Sequence, residues 1–275
     1  MARNLINAGH TVTVWNRSGG KSADLANETG CRVVSTPAEL MPDSDVIVTM
    51  LADDRASEQV HLGPDGLFAA AGAQTILFMG TMSPDHIQNL VTHAPEGIQV
   101  IDAPVSGATR AAKEATLMIM AGCHAEDAVA IAPVFDAMAS AVIYLDNPGA
   151  GAVMKLAVNS LIHGINQALA EAMTLVEAAG IAPDRAFDVI EASAACAPML
   201  KYRRPLYLEE AQHDVTFTVA LARKDMQVTA ALAQKYATSM PQGRTTLQKL
   251  IDAETAGYGT RDMAAMLAYM REEKP

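Results

Sequence analysis

Cysteines and aromatic residues are scarce in this chain of 275 residues. The three cysteines, Cys31, Cys123 and Cys196, lie far apart, and aromatic residues make up 4% of the sequence. An odd number of widely spaced cysteines excludes a disulfide framework and favours reduced thiols in the cytoplasm. The sequence also lacks the CxxC and HExxH spacings of zinc sites, so it predicts no metal centre.

Basic residues are also fewer than acidic ones. Lys and Arg total 20 against 31 Asp and Glu, which gives a formal net charge of −11 at pH 7. A nucleic-acid partner would require a basic face, so this balance argues against one. The first residues are not typical of a signal peptide, and the longest apolar run, residues 151–180, contains too many polar side chains for a membrane span.

Apolar segments of strand length alternate with helical segments over the first part of the chain. The clearest strand is DVIVTML at 45–51, a continuous apolar run typical of a parallel strand buried on both faces. Further strands are predicted at 11–17, 75–79, 99–102, 116–121 and 142–145. After Pro148 only helical patterns remain. The sequence therefore predicts an α/β fold, with a Rossmann-like parallel sheet in residues 1–147 and an all-helical domain in residues 148–275.

The second domain is predicted to begin with one long helix, residues 151–180. Ala, Leu and Met dominate this run, and Gly180 followed by Pro183 supplies a stop signal. At about 1.5 Å per residue the helix is a rod of roughly 45 Å, long enough to run between two domains or into a dimer. Lys155 and Asn159 lie four residues apart and share one face of it. A lysine in so apolar a setting needs a partner or a shifted pKa, which makes Lys155 a candidate for chemistry.

Two short motifs are candidates for contacts with a nucleotide. The predicted strand 11–17 ends at Arg17 without an acidic residue, and an arginine at this position of a dinucleotide domain binds a ribose 2′-phosphate. An exposed loop arginine is the alternative. The motif Gly149-Ala150-Gly151 is an incomplete glycine fingerprint, and a tight turn before a helix explains it better than a phosphate site.

Ser106 and Gly107 follow the predicted strand 99–102. Ligands bind at the carboxyl ends of the strands in open α/β sheets. A serine hydroxyl and the backbone N–H groups next to a glycine suit a carboxylate. On these residues alone, an ordinary turn is an equal alternative.

Other polar residues are interpreted as structural. His163, two turns beyond Lys155 on the long helix, is predicted to pack in the helix interface and not to act as a base. The basic cluster of Lys201, Arg203 and Arg204 is interpreted as solvated surface, although it would also suit an anionic substrate.

Taken together, these segments resemble the β-hydroxyacid dehydrogenase family, which includes 3-hydroxyisobutyrate dehydrogenase, tartronate semialdehyde reductase and glyoxylate/succinic semialdehyde reductases, and they are also 6-phosphogluconate dehydrogenase-like. The matching segments occur in family order: GHTVTVWNRS (9–18), DVIVTML (45–51), GTMSP (80–84), DAPVSGA (102–108), GAGAVMKLAVNS (149–160), Lys224-Asp225 and GYGTRDMAA (257–265). The resemblance implies a Rossmann domain, a helical C-terminal domain, and a homodimer or homotetramer.

The resemblance also implies a role for each matching residue. Lys155 is expected to be the catalytic lysine, a general acid and base, with Asn159 as its substrate-orienting partner. The residues expected at the substrate are Ser106, Gly107 and Phe217. The residues expected at the cofactor, which is NADP with NAD as the alternative, are Asn16, Arg17, Ser18, Leu51, Ala52, Thr81 and Lys224. The implied activity is that of a cytoplasmic oxidoreductase that transfers a hydride between NADP(H) and a small β-hydroxyacid or its semialdehyde.

One part of the family pattern is absent. The first strand and the glycine-rich turn of a Rossmann domain would precede the helix predicted at 1–8, so the resemblance implies an N-terminally truncated family member. An internal methionine taken as the start, a gene fragment, and a non-catalytic dimerising remnant without cofactor binding are the explanations left open. An imine reductase-like enzyme is the alternative activity, and Lys155 argues against it because those enzymes usually lack lysine at that position.

Overall fold

A computed structural model of the protein describes residues 1–273. The chain divides into two compact units, Met1–Lys155 and a second unit that begins at Leu156. The division falls within the long helix, which spans Ala150–Ala178. The predicted domain boundary between residues 147 and 148 is kept as a proposal.

Within residues 1–155, all of which the structure describes, eight strands form three hydrogen-bonded groups. The strands are β1 (Thr13–Val14) with β2 (Arg32–Val33); β3 (Val46–Thr49), β4 (Thr75–Phe78) and β5 (Gln99–Asp102); and β6 (Val105–Ser106), β7 (Leu117–Ala121) and β8 (Ala139–Tyr144). All pairs are parallel except β6 with β7. The predicted parallel-sheet fold is confirmed, with one antiparallel pair that the sequence analysis did not predict.

Helices connect these strands. They are α1 (Ala2–Asn7), α2 (Gly20–Thr29), α3 (Asp54–Leu62), α4 (Pro84–His93), α5 (Ala108–Glu114) and α6 (Ala132–Asp136), with 3-10 turns at Ala38–Leu40, Leu67–Ala69 and Glu126–Ile131. Side chains cap the start of two of these helices: Asp53 Oδ1 accepts the Ala56 N–H at 2.7 Å at the start of α3, and Ser83 Oγ accepts the His86 N–H at 3.1 Å at the start of α4.

Two predicted elements of this unit are shorter than expected. The strand predicted at 11–17 is reduced to β1 because a turn begins at Asn16. The Ser18 hydroxyl donates a hydrogen bond to Asn16 Oδ1 at 2.8 Å and stabilises this turn. The sequence near 125–138 also predicts a single helix, but the structure divides it into a 3-10 turn (Glu126–Ile131) and α6. Pro133 stands at the start of α6, where its missing N–H costs no helix hydrogen bond.

The core of the first unit lies on both faces of the central strands. Ile76 and Phe78 of β4 belong to one apolar cluster, while Leu77 of β4 and Met79, which follows the strand, belong to another. Successive side chains of a strand point to opposite faces, so this division means that both faces of β4 are covered. All four β4 residues are buried accordingly, as a continuous apolar strand in a parallel sheet requires.

In the described residues of the second unit the regular elements are helices, and one isolated β-bridge joins Thr218 to Asp262. After α7 (Ala150–Ala178), which begins in the first unit, come α8 (Pro183–Ala192), α9 (Pro198–Glu209), α10 (Val219–Lys235), α11 (Pro241–Ala253) and α12 (Met266–Glu272), with 3-10 turns at Glu210–Gln212 and Met263–Ala265 and a π-helical turn at Glu254–Tyr258. The predicted long helix and the predicted helical domain are confirmed. Gly180, at φ +85°, follows the end of α7, as the predicted stop signal requires. Among residues 1–273, no helix is at once long and apolar enough to cross a bilayer.

A fully buried histidine lies in the core of the first unit. His61, on α3, places Nδ1 2.7 Å from the Ser57 carbonyl oxygen and its ring centroid 4.5 Å from that of Phe78. Its Nε2 has no hydrogen-bond partner among the described residues. Burial lowers the pKa of His61 to about 4, against a smaller opposing effect of the Ser57 carbonyl.

We predict that this histidine makes the first unit sensitive to acid. Unfolding returns its pKa to the ordinary 6.5, so the unfolded chain takes up the proton first as the pH falls. The free energy of unfolding is therefore highest above about pH 6.5 and falls progressively down to about pH 4. The fall amounts to about 2 kcal/mol between pH 7.5 and pH 5. Urea unfolding followed by the fluorescence of Trp15 measures this. In His61→Gln the loss between the two pH values is smaller by that amount.

The control for this measurement is His93→Gln, which removes an exposed histidine from the same unit. If His61→Gln and His93→Gln show the same pH dependence as the unsubstituted chain, the buried imidazole does not account for the acid sensitivity.

Candidate functional site

The carboxyl ends of β3, β4 and β5 lie side by side in the first unit, because the three strands are parallel neighbours. Leu51 and Ala52 follow β3, and Thr81 follows β4. A Cβ placed on Gly80 would lie 2.4 Å from the Leu51 carbonyl oxygen, so these two strand ends are in close contact. The structure thus brings together three of the predicted cofactor residues at the edge where ligands of open α/β sheets bind.

Asn16, Arg17 and Ser18 form a separate turn after β1. The Asn16 side chain accepts hydrogen bonds from the Ser18 N–H at 3.2 Å and from the Ser18 hydroxyl at 2.8 Å. The strand before them pairs with β2 and not with β3, so this turn is not continuous with the central strand edge. Arg17 is exposed and accessible to an anion.

The segment around Ser106 holds unusual backbone conformations. Ser106 is half-buried in β6, and Gly107 is exposed at φ +131°. Ala108 and Ala115, at the two ends of α5, both adopt φ +55°, a left-handed conformation that costs an alanine about 1 kcal/mol. Glycine adopts this conformation without a steric cost, so the two alanines leave the segment after Ser106 strained.

The carboxylate of Asp102 caps the start of α7. Its Oδ1 accepts the Gly149 N–H at 2.7 Å and its Oδ2 accepts the Ala152 N–H at 2.8 Å, with 1% of the residue exposed. Burial raises the pKa of Asp102, and the helix N–H groups oppose that shift. The carboxylate therefore uses the donors that a phosphate would need, so the motif Gly149-Ala150-Gly151 is a helix start and not a phosphate site.

Lys155 and Asn159 both lie on α7, as predicted, with Lys155 half-buried and Asn159 3% exposed. Lys155 belongs to the first unit and Asn159 to the second. Their four-residue spacing on a continuous α-helix places them on one face. Their catalytic roles stay predictions.

Asp225 contacts two predicted site residues of the second unit, Asn159 and Lys224. Asp225, on α10, is 1% exposed, and its Oδ2 accepts a hydrogen bond from Asn159 Nδ2 at 2.5 Å. Lys224 Nζ forms an ion pair with its Oδ1 at 2.6 Å. In the sequence, Asp225 stands out only as part of the matching pair Lys224-Asp225, which by itself indicates no role for it. The structure brings Asn159 and Lys224 onto one buried carboxylate, although 66 residues separate Asn159 from Asp225.

A second buried carboxylate fixes the position of Phe217. Asp262 Oδ2 accepts the Thr216 N–H at 2.9 Å and the Phe217 N–H at 3.2 Å, and Asp262 also pairs with Arg203. Burial by itself would raise the pKa of Asp262, but the Arg203 charge and these hydrogen bonds hold it below its ordinary value. The interpretation of Arg203 as solvated surface is wrong: the residue is 4% exposed.

The neighbours of Arg203 and Phe217 have structural roles. Arg204 lies on α9 and pairs with acidic side chains of α8, including Asp188 at 2.9 Å, so its charge is already balanced. His163 is buried, and its ring centroid lies 5.7 Å from that of Phe217 with an interplanar angle of 28°. It therefore packs against the predicted pocket wall, in agreement with its interpretation as a packing residue.

No predicted site residue lines the cavity of about 420 Å³ in the second unit. Two arginines line it, but Arg261 pairs with Glu210 and Arg271 pairs with Glu177. The cavity therefore presents balanced charges to an anionic ligand. Within residues 1–273, no group of three or more His, Cys, Asp or Glu side chains is arranged to hold a metal ion.

Comparison with protein families agrees with this arrangement of two units. Residues 1–146 match the model of the NAD-binding domain of 6-phosphogluconate dehydrogenase, and residues 149–270 match that of the NAD-binding region of NADP-dependent 3-hydroxyisobutyrate dehydrogenase. The chain belongs to the β-hydroxyacid dehydrogenase family. This membership confirms the predicted family and the prediction of an NAD(P)-dependent oxidoreductase.

Individual members of the family match over almost the whole chain. Glyoxylate/succinic semialdehyde reductase 1 of Arabidopsis thaliana is 28% identical, over 97% of this chain and 92% of that protein. The 3-sulfolactaldehyde reductase of Escherichia coli is also 28% identical, over 98% and 91%. A crystal structure of 3-hydroxyisobutyrate dehydrogenase from Salmonella typhimurium superposes with a TM-score of 0.87 at 26% identity, over 98% and 94% of the two chains.

We predict that Asp225→Ala destabilises the second unit of this β-hydroxyacid dehydrogenase family member. Removing the buried carboxylate takes away the acceptor of the Asn159 amide and the ion pair between Asp225 and Lys224, which costs about 2–4 kcal/mol of unfolding free energy. Urea unfolding followed by the helical circular dichroism signal measures the loss.

The control is Asp214→Ala, which removes an exposed carboxylate of the same unit and changes the unfolding free energy by less than about 0.5 kcal/mol. Equal effects of the two substitutions would show that Asp225 does not hold the cluster together.

Proposed function

We propose that this chain transfers a hydride between NADP(H) and a small β-hydroxyacid or its semialdehyde, with Lys155 as general acid and base. The observation that supports it most directly is the buried cluster in which Asp225 binds both Asn159 and Lys224. The names of the relatives support the substrate class, because glyoxylate, succinic semialdehyde and 3-sulfolactaldehyde are small anions with a carbonyl group.

Lys155 moves the proton in this proposal. A bound nicotinamide supplies or accepts the hydride at the substrate carbon. As a carbonyl is reduced, its oxygen becomes basic, and the Lys155 ammonium donates a proton to it; in oxidation the neutral amine takes the proton from the hydroxyl. The ammonium also stabilises the negative charge that develops on that oxygen.

Asn159 orients the reacting oxygen. Its Nδ2 is held by Asp225, which fixes the amide plane and leaves Oδ1 as an acceptor. Such an acceptor binds a substrate hydroxyl or the Lys155 ammonium. Ser106 and the backbone at Gly107 bind the substrate carboxylate, and Phe217, fixed by Asp262, forms part of the pocket wall.

Arg17 supports a preference for NADP over NAD. Its guanidinium is exposed in a turn whose two flanking side chains, Asn16 and Ser18, already bind each other. The planar donor fork of an arginine fits a ribose 2′-phosphate, so these residues suit the group. At the nicotinamide end we assign Thr81 and Lys224, and at the ribose Leu51 and Ala52.

We further propose that the chain forms a homodimer or homotetramer in the cytoplasm. Leu161 and Leu175, both on α7, are 67% and 71% exposed, and Val189 on α8 is 69% exposed. Large exposed apolar side chains on neighbouring helices of one unit support a contact with a second copy. Three free cysteines support the cytoplasmic location.

We predict that Lys155→Met lowers kcat for NADPH-dependent reduction of succinic semialdehyde by about 10²–10⁴-fold, because the substitution keeps the apolar stem and removes the proton donor. The fall in NADPH absorbance measures the rate. The matched control is Lys201→Met, which removes an exposed lysine from α9 and leaves kcat unchanged. An unchanged kcat in Lys155→Met contradicts the assigned role. Absence of turnover by the unsubstituted chain with succinic semialdehyde, glyoxylate and tartronate semialdehyde contradicts the substrate class.

We predict that Arg17→Glu raises the KM for NADPH by about tenfold or more, because it replaces a charge-assisted hydrogen bond with repulsion, while the KM for NADH changes less than twofold. Initial rates with each cofactor measure the effect. Arg185→Glu makes the same charge change at an exposed position of α8 and is the control. If Arg17→Glu affects NADPH and NADH equally, Arg17 does not read the 2′-phosphate.

A further inference from the structure

Asp102 occupies a junction between two segments that the proposed reaction uses. Asp102 is the last residue of β5 and lies four residues before Ser106. Its carboxylate binds the first turn of α7, which begins at Ala150, five residues before Lys155. With 1% of its surface exposed, Asp102 is inaccessible to a substrate. Any effect on the reaction must therefore act through other residues.

The segment that bears Ser106 is fixed to the sheet on one side of this junction. The Asp102 carbonyl oxygen accepts the Gly122 N–H at 2.8 Å, and the Pro104 carbonyl oxygen accepts the Met120 N–H at 2.9 Å. Ser106 itself pairs with Met118 across β6 and β7. The backbone from Asp102 to Ser106 is thus held along β7 at each alternate residue.

On the other side of Asp102, the start of α7 is in close contact with the backbone of β7. A Cβ on Gly151 would lie 2.4 Å from the Met120 carbonyl oxygen, and a Cβ on Gly122 would lie 2.1 Å from Asp102 Oδ1. Only glycine permits an approach this close, so the helix start packs directly on the β7 backbone. The two hydrogen bonds of the Asp102 carboxylate then set both the position and the direction of the helix.

We propose that Asp102 is a positioning residue, which sets Lys155 on α7 at the distance from Ser106 that a bound substrate requires. The inference rests on the proposed function, in which Ser106 binds the substrate carboxylate and Lys155 protonates the carbonyl oxygen. Lys155 lies about 7.5 Å along the axis from the start of α7, so a tilt or slip at the capped end moves its side chain. Displacements of about 1 Å between reacting groups cost about 100-fold in rate.

The test is Asp102→Asn, which keeps the shape of the side chain. One acceptor oxygen becomes an NH2 group that faces a helix N–H donor, so one of the two hydrogen bonds is lost. We expect kcat for semialdehyde reduction to fall at least about tenfold and the KM for the semialdehyde to rise severalfold, while the KM for NADPH changes less than twofold.

A merely structural role predicts a different result. Partial unfolding lowers the concentration of active enzyme, which reduces the apparent kcat and leaves both KM values unchanged. The control Leu67→Ala removes a fully buried side chain from the same unit, and we expect it to lower stability without changing either KM. If Asp102→Asn behaves like Leu67→Ala, the positioning role is wrong.

A double-mutant cycle identifies the residue through which Asp102 acts. In a Lys155→Met background, Asp102→Asn lowers the residual kcat less than twofold, because the group it positions is already absent. A further tenfold fall in that background overturns the inference. The proposed function fails separately: an unchanged kcat in Lys155→Met refutes the lysine mechanism itself, whatever Asp102→Asn does.

A milder variant serves if Asp102→Asn does not fold. Gly149→Ala strains the residue whose N–H donates to Asp102 Oδ1, at φ +88°, and the added Cβ meets its nearest neighbour only at 3.9 Å. We expect the same pattern at smaller amplitude, with the semialdehyde KM raised and the NADPH KM unchanged. Unchanged KM values for both in this folded variant overturn the proposal.

Discussion

The start of α7 presents backbone N–H groups that no residue within the helix can satisfy, and the Asp102 carboxylate accepts two of them. A negative charge at this end is also favourable for the helix dipole. Since Asp102 is the last residue of β5, the longest helix of the described chain is fixed to the central strands at their carboxyl edge. The position of Lys155 and its relation to the strand ends of the first unit follow from this one capping contact.

The second unit applies the same chemistry to its own segments. Asp225 joins α7 to α10 through Asn159, and Asp262 joins the residues before α10 to the C-terminal turns. A buried carboxylate is stable only when donors or cations compensate its charge: Asp225 has a donor and an ion pair, and Asp262 has several donors and Arg203. In an acidic chain of net charge −11, the fully buried acids of each unit therefore fix the backbone next to residues that the proposed function uses in that unit.

Patterns that depend on neighbouring residues were predictable from the sequence, and contacts over long separations were not. The apolar run at β3 and the composition of α7 predicted their elements to within a few residues. Arg203 and Arg204 are adjacent and identical in type, yet one is buried against Asp262, 59 residues away, and the other lies at the helix surface. Nothing local distinguishes them. The capping role of Asp102 was hidden for the same reason, because its partner Gly149 lies 47 residues further along the chain.

The two left-handed alanines at the ends of α5 have a consequence for local dynamics. Ala108 and Ala115 each retain a conformation that costs about 1 kcal/mol, while the helix between them is seven residues long and buries no side chain fully. A helix this short gains little stability from its own hydrogen bonds, and without buried side chains it has little packing energy to offset that cost. We therefore expect low local stability in α5, with amide protons that exchange with solvent through local openings that leave the sheet intact. We also expect α5, beside Ser106, to open more often than β5, the strand that carries Asp102.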